Sequence, residues 1–205
     1  MIAIVDYGVG NLGAIANMLK RVGASGVIAS DPAVIAKADK LILPGVGAFD
    51  AAMQRIHERH LQPVLADKAL RERVPVLGIC LGMQLLTESS EEGHLPGLGW
   101  IPGKTLAFRG RIDGAVKVPH MGWNLVAPET PSALTDGLDT VGEPRFYFVH
   151  SYFVHCEDRR NSILRTTYGV PFDAAIQQDN IYGVQFHPEK SHRFGMKLLE
   201  NFAEI

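Results

Sequence analysis

The sequence predicts an α/β protein with a mostly parallel central sheet flanked by helices and additional antiparallel strands in the second half. In the first half, short apolar runs alternate with segments of helical periodicity, an order typical of parallel sheets with right-handed crossovers. In the second half, glycine and proline separate short β-branched and aromatic runs. The 205 residues, 46% hydrophobic and 20% charged, suit one globular domain spanning residues 1–205.

The elements of the first half follow one another without a linker. We predict strands at Ile2–Val5, 27–29, 40–43 and 74–77, and helices at 15–22, 49–60 and 64–71. Three of the strands end in glycine-bearing loops, at Asp6, Pro44 and Leu77. Ligands bind at the carboxyl ends of strands in such sheets, so we expect these loops to converge on one crevice.

The second half is richer in strands. We predict them at 145–154, 163–167, 174–176 and 181–186, and a helix at 194–202. The turn Gln178-Asp179-Asn180 should join the last two strands as a hairpin. The charged run at 67–73 is expected to be a solvated helix face.

Charge and cysteine content narrow the functional classes. A formal charge of −2 gives no electrostatic footprint for nucleic acid or an anionic membrane. Cys80 lies in a glycine-rich turn and Cys156 in a polar stretch, so we expect no disulfide and a reducing, cytoplasmic location. The first residues form a strand with no basic segment and no long apolar run, so neither a signal peptide nor a membrane span is expected.

The segment Gly78-Ile79-Cys80-Leu81-Gly82 is the most informative part of the chain. It lies between an apolar strand and a helical segment, where a sharp turn would lift Cys80 clear of the sheet and favour its thiolate at the helix N-terminus. Alone, this pattern fits a buried structural cysteine equally well. The later His187-Pro188-Glu189 supplies a base and an orienting acid, which favours nucleophilic catalysis.

A competing motif stands near the N-terminus. Gly8, Gly10 and Gly13 fit the G-x-G-x-x-G pattern of dinucleotide-binding folds, and Asp31 follows at a suitable distance. However, Asp6 and Tyr7 separate the strand from the first glycine. A turn whose glycines supply positive φ is the favoured interpretation.

Two further classes of function remain as alternatives. A cysteine α/β-hydrolase would share the elbow, but that fold places its acid before the histidine, whereas His187 precedes Glu189 here. A catalytically silent scaffold subunit would not need Cys80, His187 and Glu189 together.

The motifs resemble the class I (triad) glutamine amidotransferases, through the elbow at 78–84 and the segment 185–189. Within them, Asp6 to Leu12, Pro44-Gly45-Val46-Gly47, His120-Met121-Gly122-Trp123-Asn124 and 187–191 resemble the glutaminase subunits of imidazole glycerol phosphate synthase. The resemblance spans nearly the whole chain in order. It implies hydrolysis of L-glutamine to glutamate and ammonia through a thioester. The glutaminase subunit of another amidotransferase is the nearest alternative.

Residue roles follow from the chemistry and from this resemblance. Cys80 is expected to be the nucleophile, His187 the acid and base, and Glu189 the orienting acid. The Leu81 amide should donate to the oxyanion, and the resemblance implies Val46 as the second donor. Substrate contacts are expected from Gly47, Gln84, Ser151 and Tyr152. Gln84 lies one helical turn after Cys80, while Ser151 and Tyr152 match family positions.

The resemblance also implies a partner. Ammonia would pass to a cyclase subunit, a (β/α)₈ barrel bound as a heterodimer, that makes imidazole glycerol phosphate and AICAR in histidine biosynthesis. Gly10, Asn11, Trp123 and Lys190 would meet that partner. The chemistry needs no cofactor and no metal, and we expect no binding to nucleic acid or membrane.

Overall fold

The computed structural model describes residues 1–113 and 116–205. Its strands are β1 Ile2–Val5, β2 Gly26–Ala29, β3 Lys40–Gly45, β4 Val76–Cys80, β5 Ser89–Ser90, β6 Gly103–Ala107, β7 His120–Leu125, β8 Ala127–Pro128, β9 Arg145–His150, β10 Tyr152–Cys156, β11 Ser162–Tyr168, β12 Val170–Gln178 and β13 Ile181–Val184. Its helices are α1 Leu12–Arg21, α2 Pro32–Ile35, α3 Phe49–Glu58, α4 Gln62–Ala66, α5 Leu81–Leu85 and α6 His192–Glu204, and a π-helical turn at Asp67–Arg71 continues α4.

Within the described residues, one large sheet has the strand order β2-β1-β3-β4-β13-β12-β10-β6-β5. The first five strands in this order, β2, β1, β3, β4 and β13, run parallel to one another. Strand β12 pairs antiparallel with β13. Strand β11 pairs with β12 and β8, while β7 and β9 form a separate antiparallel pair. The predicted fold class is confirmed, including the hairpin that joins β12 to β13.

Two apolar layers cover the parallel strands. Alternate residues of β1 point to opposite faces, so Ile4 packs in one cluster and Val5 in the other. The cluster with Ile4 includes the apolar faces of α1 and α6, and that with Val5 includes those of α3 and α4. Helices on both faces explain why the central strands are apolar throughout rather than alternating.

Several elements differ from the sequence prediction. The strand predicted at 145–154 is interrupted at Ser151, because β9 pairs with β7 whereas β10 pairs with β6 and β12. The motif at 120–124, for which no strand was predicted, lies in strand β7. The short helix α2 begins at Pro32, where the Asp31 carboxylate accepts a hydrogen bond from the Ala33 amide.

The charged run at 67–73 is not a wholly solvated face, and this prediction was wrong at Lys68. The side chain of Lys68 is buried, and its ammonium pairs with Glu72 one helical turn later. Lysine tolerates burial of its aliphatic stem when its charged head keeps a partner. Across residues 1–113 and 116–205, no helix has the length and apolarity needed to cross a bilayer.

Candidate active site

The candidate site lies at the carboxyl ends of three adjacent parallel strands. Cys80 ends β4, and Gly45 at the end of β3 stands opposite it in the ladder. On the other side, Val184 at the end of β13 stands opposite Ile79. The loop after β3 and the segment with His187 therefore approach Cys80 from opposite sides, in the predicted crevice.

The turn at Cys80 is strained, and the strain lies on the cysteine itself. Cys80 has φ 55° and ψ −109°, a conformation that non-glycine residues rarely adopt. The flanking glycines supply space instead. A Cβ on Gly78 would lie 2.6 Å from the Gly82 carbonyl oxygen, and one on Gly82 would lie 1.7 Å from the Leu43 carbonyl oxygen. The elbow therefore requires glycine on both sides because α5 packs directly against β3 and β4.

His187 and Glu189 form a buried pair beside the cysteine. The His187 Nδ1 lies 2.8 Å from Glu189 Oε1, and the two side chains are 5% and 4% exposed. Burial opposes a charge on the ring, but interactions with the Cys80 sulfur and with Glu189 outweigh burial and raise the pKa of His187 to about 10. The ring is thus held as an imidazolium beside the sulfur at neutral pH.

A cavity of about 350 Å³ opens in front of the cysteine. Its lining includes these predicted site residues: Val46, Gly47, Cys80, Leu81, Gln84, Ser151, Tyr152, His187 and Lys190. Glu189 lies behind His187. Another cavity, of about 340 Å³ and lined by Met53, His57 and Leu95, contains none of the predicted residues. Apart from Glu189, the residues that were predicted to form the site therefore line a single cavity in the structure.

Gln84 is more constrained than its position in the sequence suggested. Its Nε2 donates to the Tyr152 carbonyl at 3.1 Å and to Gln185 Oε1 at 3.1 Å. Gln185 Nε2 in turn lies 3.8 Å from the Cys80 sulfur and donates to it. Both amide hydrogens of Gln84 are used within the protein, so Gln84 offers a substrate its side-chain oxygen.

Gln185 and Tyr7 were not among the predicted site residues, although both belong to the surroundings of the site. Gln185 stands next to the predicted His-x-Glu motif, but only the pairing of β13 with β4 brings it to the sulfur. The fully buried Tyr7 donates its hydroxyl to the Pro44 carbonyl, at the start of the loop that carries Val46. Burial, with a smaller effect of Cys80, raises the pKa of the Tyr7 phenol far above its ordinary value, so it remains a donor.

The residues predicted to meet a partner are accessible to solvent, and Lys190 lines the cavity. A Cβ on Gly10 would lie 3.4 Å from Pro44, which places Gly10 and the exposed Asn11 beside the loop at 44–47. Trp123 is 45% exposed, so it does not lie in the core. The Lys190 ammonium lies 5.8 Å from the Tyr147 ring centroid, and the Trp123 ring lies 6.2 Å from the same ring.

The glycine-rich segment at 8–13 lacks the geometry of a dinucleotide site. Gly8 and Gly10 have φ values of 90° and 102°, as a turn requires. The third glycine of the dinucleotide pattern permits close packing of helix on strand. Here Gly13 is exposed, and a Cβ on it would meet no described atom within 4 Å. The Asp31 carboxylate caps α2, so it is engaged within the protein and not positioned to bind a ribose.

Cys156 does not compete as a nucleophile. It is buried, and burial together with the neighbouring Asp173 raises the pKa of its thiol. Both cysteines are free thiols.

Known proteins share both this sequence and this fold. The family described as glutamine amidotransferase class-I matches residues 3–205. The chain is 54% identical over 204 residues to imidazole glycerol phosphate synthase subunit HisH 2 of Methanococcus maripaludis, covering 100% of this chain and 99% of that protein. It is 52% identical over 207 residues to subunit HisH of Bdellovibrio bacteriovorus, with 100% of both chains covered.

Solved structures agree at the level of the fold. A crystal structure of a glutamine amidotransferase superposes with a TM-score of 0.74 at 17% identity, covering 100% of both chains. PurLQS from Thermotoga maritima superposes with a TM-score of 0.71 at 18% identity, covering 99% of this chain and 97% of that one. From the family match and the full-length relatives, we conclude that the chain belongs to the class I glutamine amidotransferases, in the group of imidazole glycerol phosphate synthase subunits HisH.

Proposed function

We propose that this chain is the glutaminase subunit of an imidazole glycerol phosphate synthase, which hydrolyses L-glutamine to L-glutamate and ammonia. One observation carries the proposal: a strained cysteine faces the same cavity as a histidine that is paired with a buried carboxylate. Full-length relatives named as subunits of that synthase support the specific assignment.

In the first half-reaction, the Cys80 thiolate attacks the side-chain amide carbon of glutamine and forms a tetrahedral adduct. The backbone amides of Leu81 and Val46 would donate to its oxyanion. His187, protonated at neutral pH, gives its proton to the departing ammonia. A cysteinyl thioester of glutamate remains.

The second half-reaction uses the same histidine as a base. Once the sulfur is acylated, it no longer carries the negative charge that favoured the imidazolium, so the affinity of His187 for a proton falls. Neutral His187 can then take a proton from water as the water attacks the thioester. Throughout, Glu189 accepts a hydrogen bond from the Nδ1–H of His187 and so orients the ring. Glutamate leaves and Cys80 is regenerated.

The proposal includes a cyclase partner, a (β/α)₈ barrel bound as a heterodimer that turns the ammonia into imidazole glycerol phosphate and AICAR in the cytoplasm. Ammonia released into water becomes ammonium, which is not a nucleophile, so transfer within a complex preserves its reactivity. The accessible Gly10, Asn11, Trp123 and Lys190 support a docking surface, which Lys190 connects to the cavity.

The test is glutamate release from glutamine, measured with and without the cyclase subunit and its nucleotide ligand. We expect the partner to stimulate release. Cys80→Ala should abolish turnover and labelling by 6-diazo-5-oxo-L-norleucine, whereas the matched Cys156→Ala should retain both. Labelling at Cys156, or an active Cys80→Ala variant, would contradict the proposal. Full activity without a partner, unchanged on adding it, would contradict the coupling.

A further inference from the structure

Two buried histidines outside the proposed triad contact each other between the large sheet and the β7–β9 pair. His120 on β7 and His150 at the end of β9 are 2% and 5% exposed. The His120 Nδ1 lies 2.9 Å from the His150 Nε2. The His120 ring also stacks on Tyr168 and Phe148, at centroid distances of 4.0 and 4.8 Å. The proposed reaction uses neither histidine.

The neighbours of the pair determine where each proton lies. The His150 Nδ1 faces the Tyr152 carbonyl oxygen at 2.7 Å, so this nitrogen is the donor. Burial lowers the pKa of His150 to about 3 and that of His120 to about 4, so both rings are neutral. The His150 Nε2 is therefore an acceptor, and His120 donates to it from Nδ1. The His120 Nε2 is left as an acceptor, and Asn124 Nδ2 approaches it at 3.4 Å.

This chain of hydrogen bonds ends on an atom that also holds Gln84. The Tyr152 carbonyl accepts from the His150 Nδ1 and from the Gln84 Nε2. Tyr152 and Ser151 form the corner between β9 and β10 that lines the cavity in front of Cys80. Asn124 anchors the other end, because its Nδ2 also donates to the Thr167 carbonyl at 3.0 Å.

We propose that His120 and His150 are positioning residues that hold the Ser151–Tyr152 corner, and through it Gln84, in the arrangement that binds glutamine. The inference rests on the proposed glutaminase function and deepens it by adding residues that govern substrate binding through position: His150, which lines the cavity, and His120, which stands behind it. These hydrogen bonds also connect the corner to β7, whose opposite face exposes Met121, Trp123 and Leu125.

Two substitutions at His120 separate positioning from packing. His120→Phe keeps an aromatic ring to stack on Tyr168 but cannot donate to His150. His120→Asn loses the stacked ring but places an amide donor where Nδ1 stood. His150→Phe and His150→Asn form a second pair with the same logic toward the Tyr152 carbonyl.

Positioning predicts that the Phe variants raise the KM for glutamine, and the concentration of 6-diazo-5-oxo-L-norleucine giving half-maximal labelling, by about fivefold or more, the effect of one lost hydrogen bond. The Asn variants should stay within about twofold of the wild type in both values. Iodoacetamide reaches Cys80 without needing the contacts that recognise glutamine, so it should alkylate Cys80 at the same rate in all variants.

The opposite order, with the Asn variants impaired and the Phe variants normal, would show that the histidines only pack, and would overturn the inference. Equal KM values in all variants would overturn it as well. Circular dichroism and thermal melting identify a variant that fails to fold, in which case the pair at the other histidine decides. A wild-type chain that neither releases glutamate nor is labelled at Cys80 would instead overturn the proposed function, and this inference with it.

Discussion

At the scale of single residues, the site depends on side chains that each have a defined partner. His187 is fixed by Glu189, and Gln84 by the Tyr152 carbonyl and Gln185. Such preorganisation matters because the oxyanion and the departing ammonia must be met without rearrangement. The proposed triad was predictable from sequence as a set of neighbouring residues because its two motifs are short and local. Gln185 was not, since its role depends on contact with a residue far away in the chain.

The first prediction concerns the triad as a unit. His187→Ala should reduce glutaminase turnover almost as much as Cys80→Ala, because neither can act without the other. Glu189→Gln should leave residual activity, since the amide can still contact the ring while the stabilising charge is lost. Steady-state glutamate release measures both. Near-normal turnover in His187→Ala would refute the triad.

The second prediction concerns Tyr7. Tyr7→Phe keeps the buried ring but leaves the Pro44 carbonyl unpaired, which should lower stability by about 1–3 kcal/mol. Because the loop at 44–47 carries the proposed Val46 donor, turnover should fall as well. Tyr168→Phe is the matched control, since it removes a hydrogen bond to the Lys117 carbonyl outside the cavity. Equal losses of turnover in the two variants would argue against a role for Tyr7 in the site.

At the scale of elements, the elbow works because strand β4 and helix α5 meet with almost no space between them. The glycines around Cys80 were evident from the sequence, but the backbone conformation of the turn was not. In the structure the positive φ belongs to Cys80, while Gly78 and Gly82 are needed for close approach. That distinction depends on where β3 runs, which no local pattern reveals.

The third prediction contrasts two glycines in helices. Gly82→Ala would place a Cβ 1.7 Å from the Leu43 carbonyl oxygen, so we expect it to destabilise the protein strongly and abolish turnover. Gly13→Ala adds a methyl group to an exposed position of α1 and should change stability by less than about 1 kcal/mol, towards greater stability. Urea unfolding and glutamate release measure both. A stable, active Gly82→Ala variant would contradict this account of the elbow.

At the scale of the whole molecule, stability should depend on pH through the buried pair His120 and His150. Both pKa values, about 4 for His120 and about 3 for His150, lie below the value of about 6.5 expected in the unfolded chain. The unfolded state therefore binds more protons between pH 4 and pH 6.5. Their contribution to stability is fully present above pH 6.5 and is lost as the pH falls through that window.

The fourth prediction follows from that sign. The free energy of unfolding should decrease below pH 6.5 by up to about 1.4 kcal/mol per pH unit for each histidine. His120→Phe removes one of the two groups and should reduce the slope, whatever its effect on stability at neutral pH. Urea titrations at several pH values measure the slope. An unchanged slope in His120→Phe would show that His120 does not titrate as described.

The fifth prediction concerns Trp123 on the proposed partner surface. Trp123→Ala should leave the melting temperature of the isolated chain nearly unchanged, because the side chain is 45% exposed, but should weaken the complex with the cyclase. Leu70→Ala, at an exposed apolar residue that is not among those predicted to meet the partner, is the control and should leave complex formation intact. A large drop in melting temperature would identify Trp123 as a structural residue instead.

The sequence by itself determined the alternation of strands and helices in the first half and the family. It also indicated the three residues of the proposed triad, Cys80, His187 and Glu189. These signals are local, since periodicity and short motifs act over a few residues. Only the tertiary structure decided the break of the aromatic strand at Ser151, the burial of Lys68 and the contacts of Tyr7 and Gln185. The same holds for the neutral His120–His150 pair. Each of these depends on which distant strands or helices lie side by side, and therefore on the pairing and packing of the whole chain.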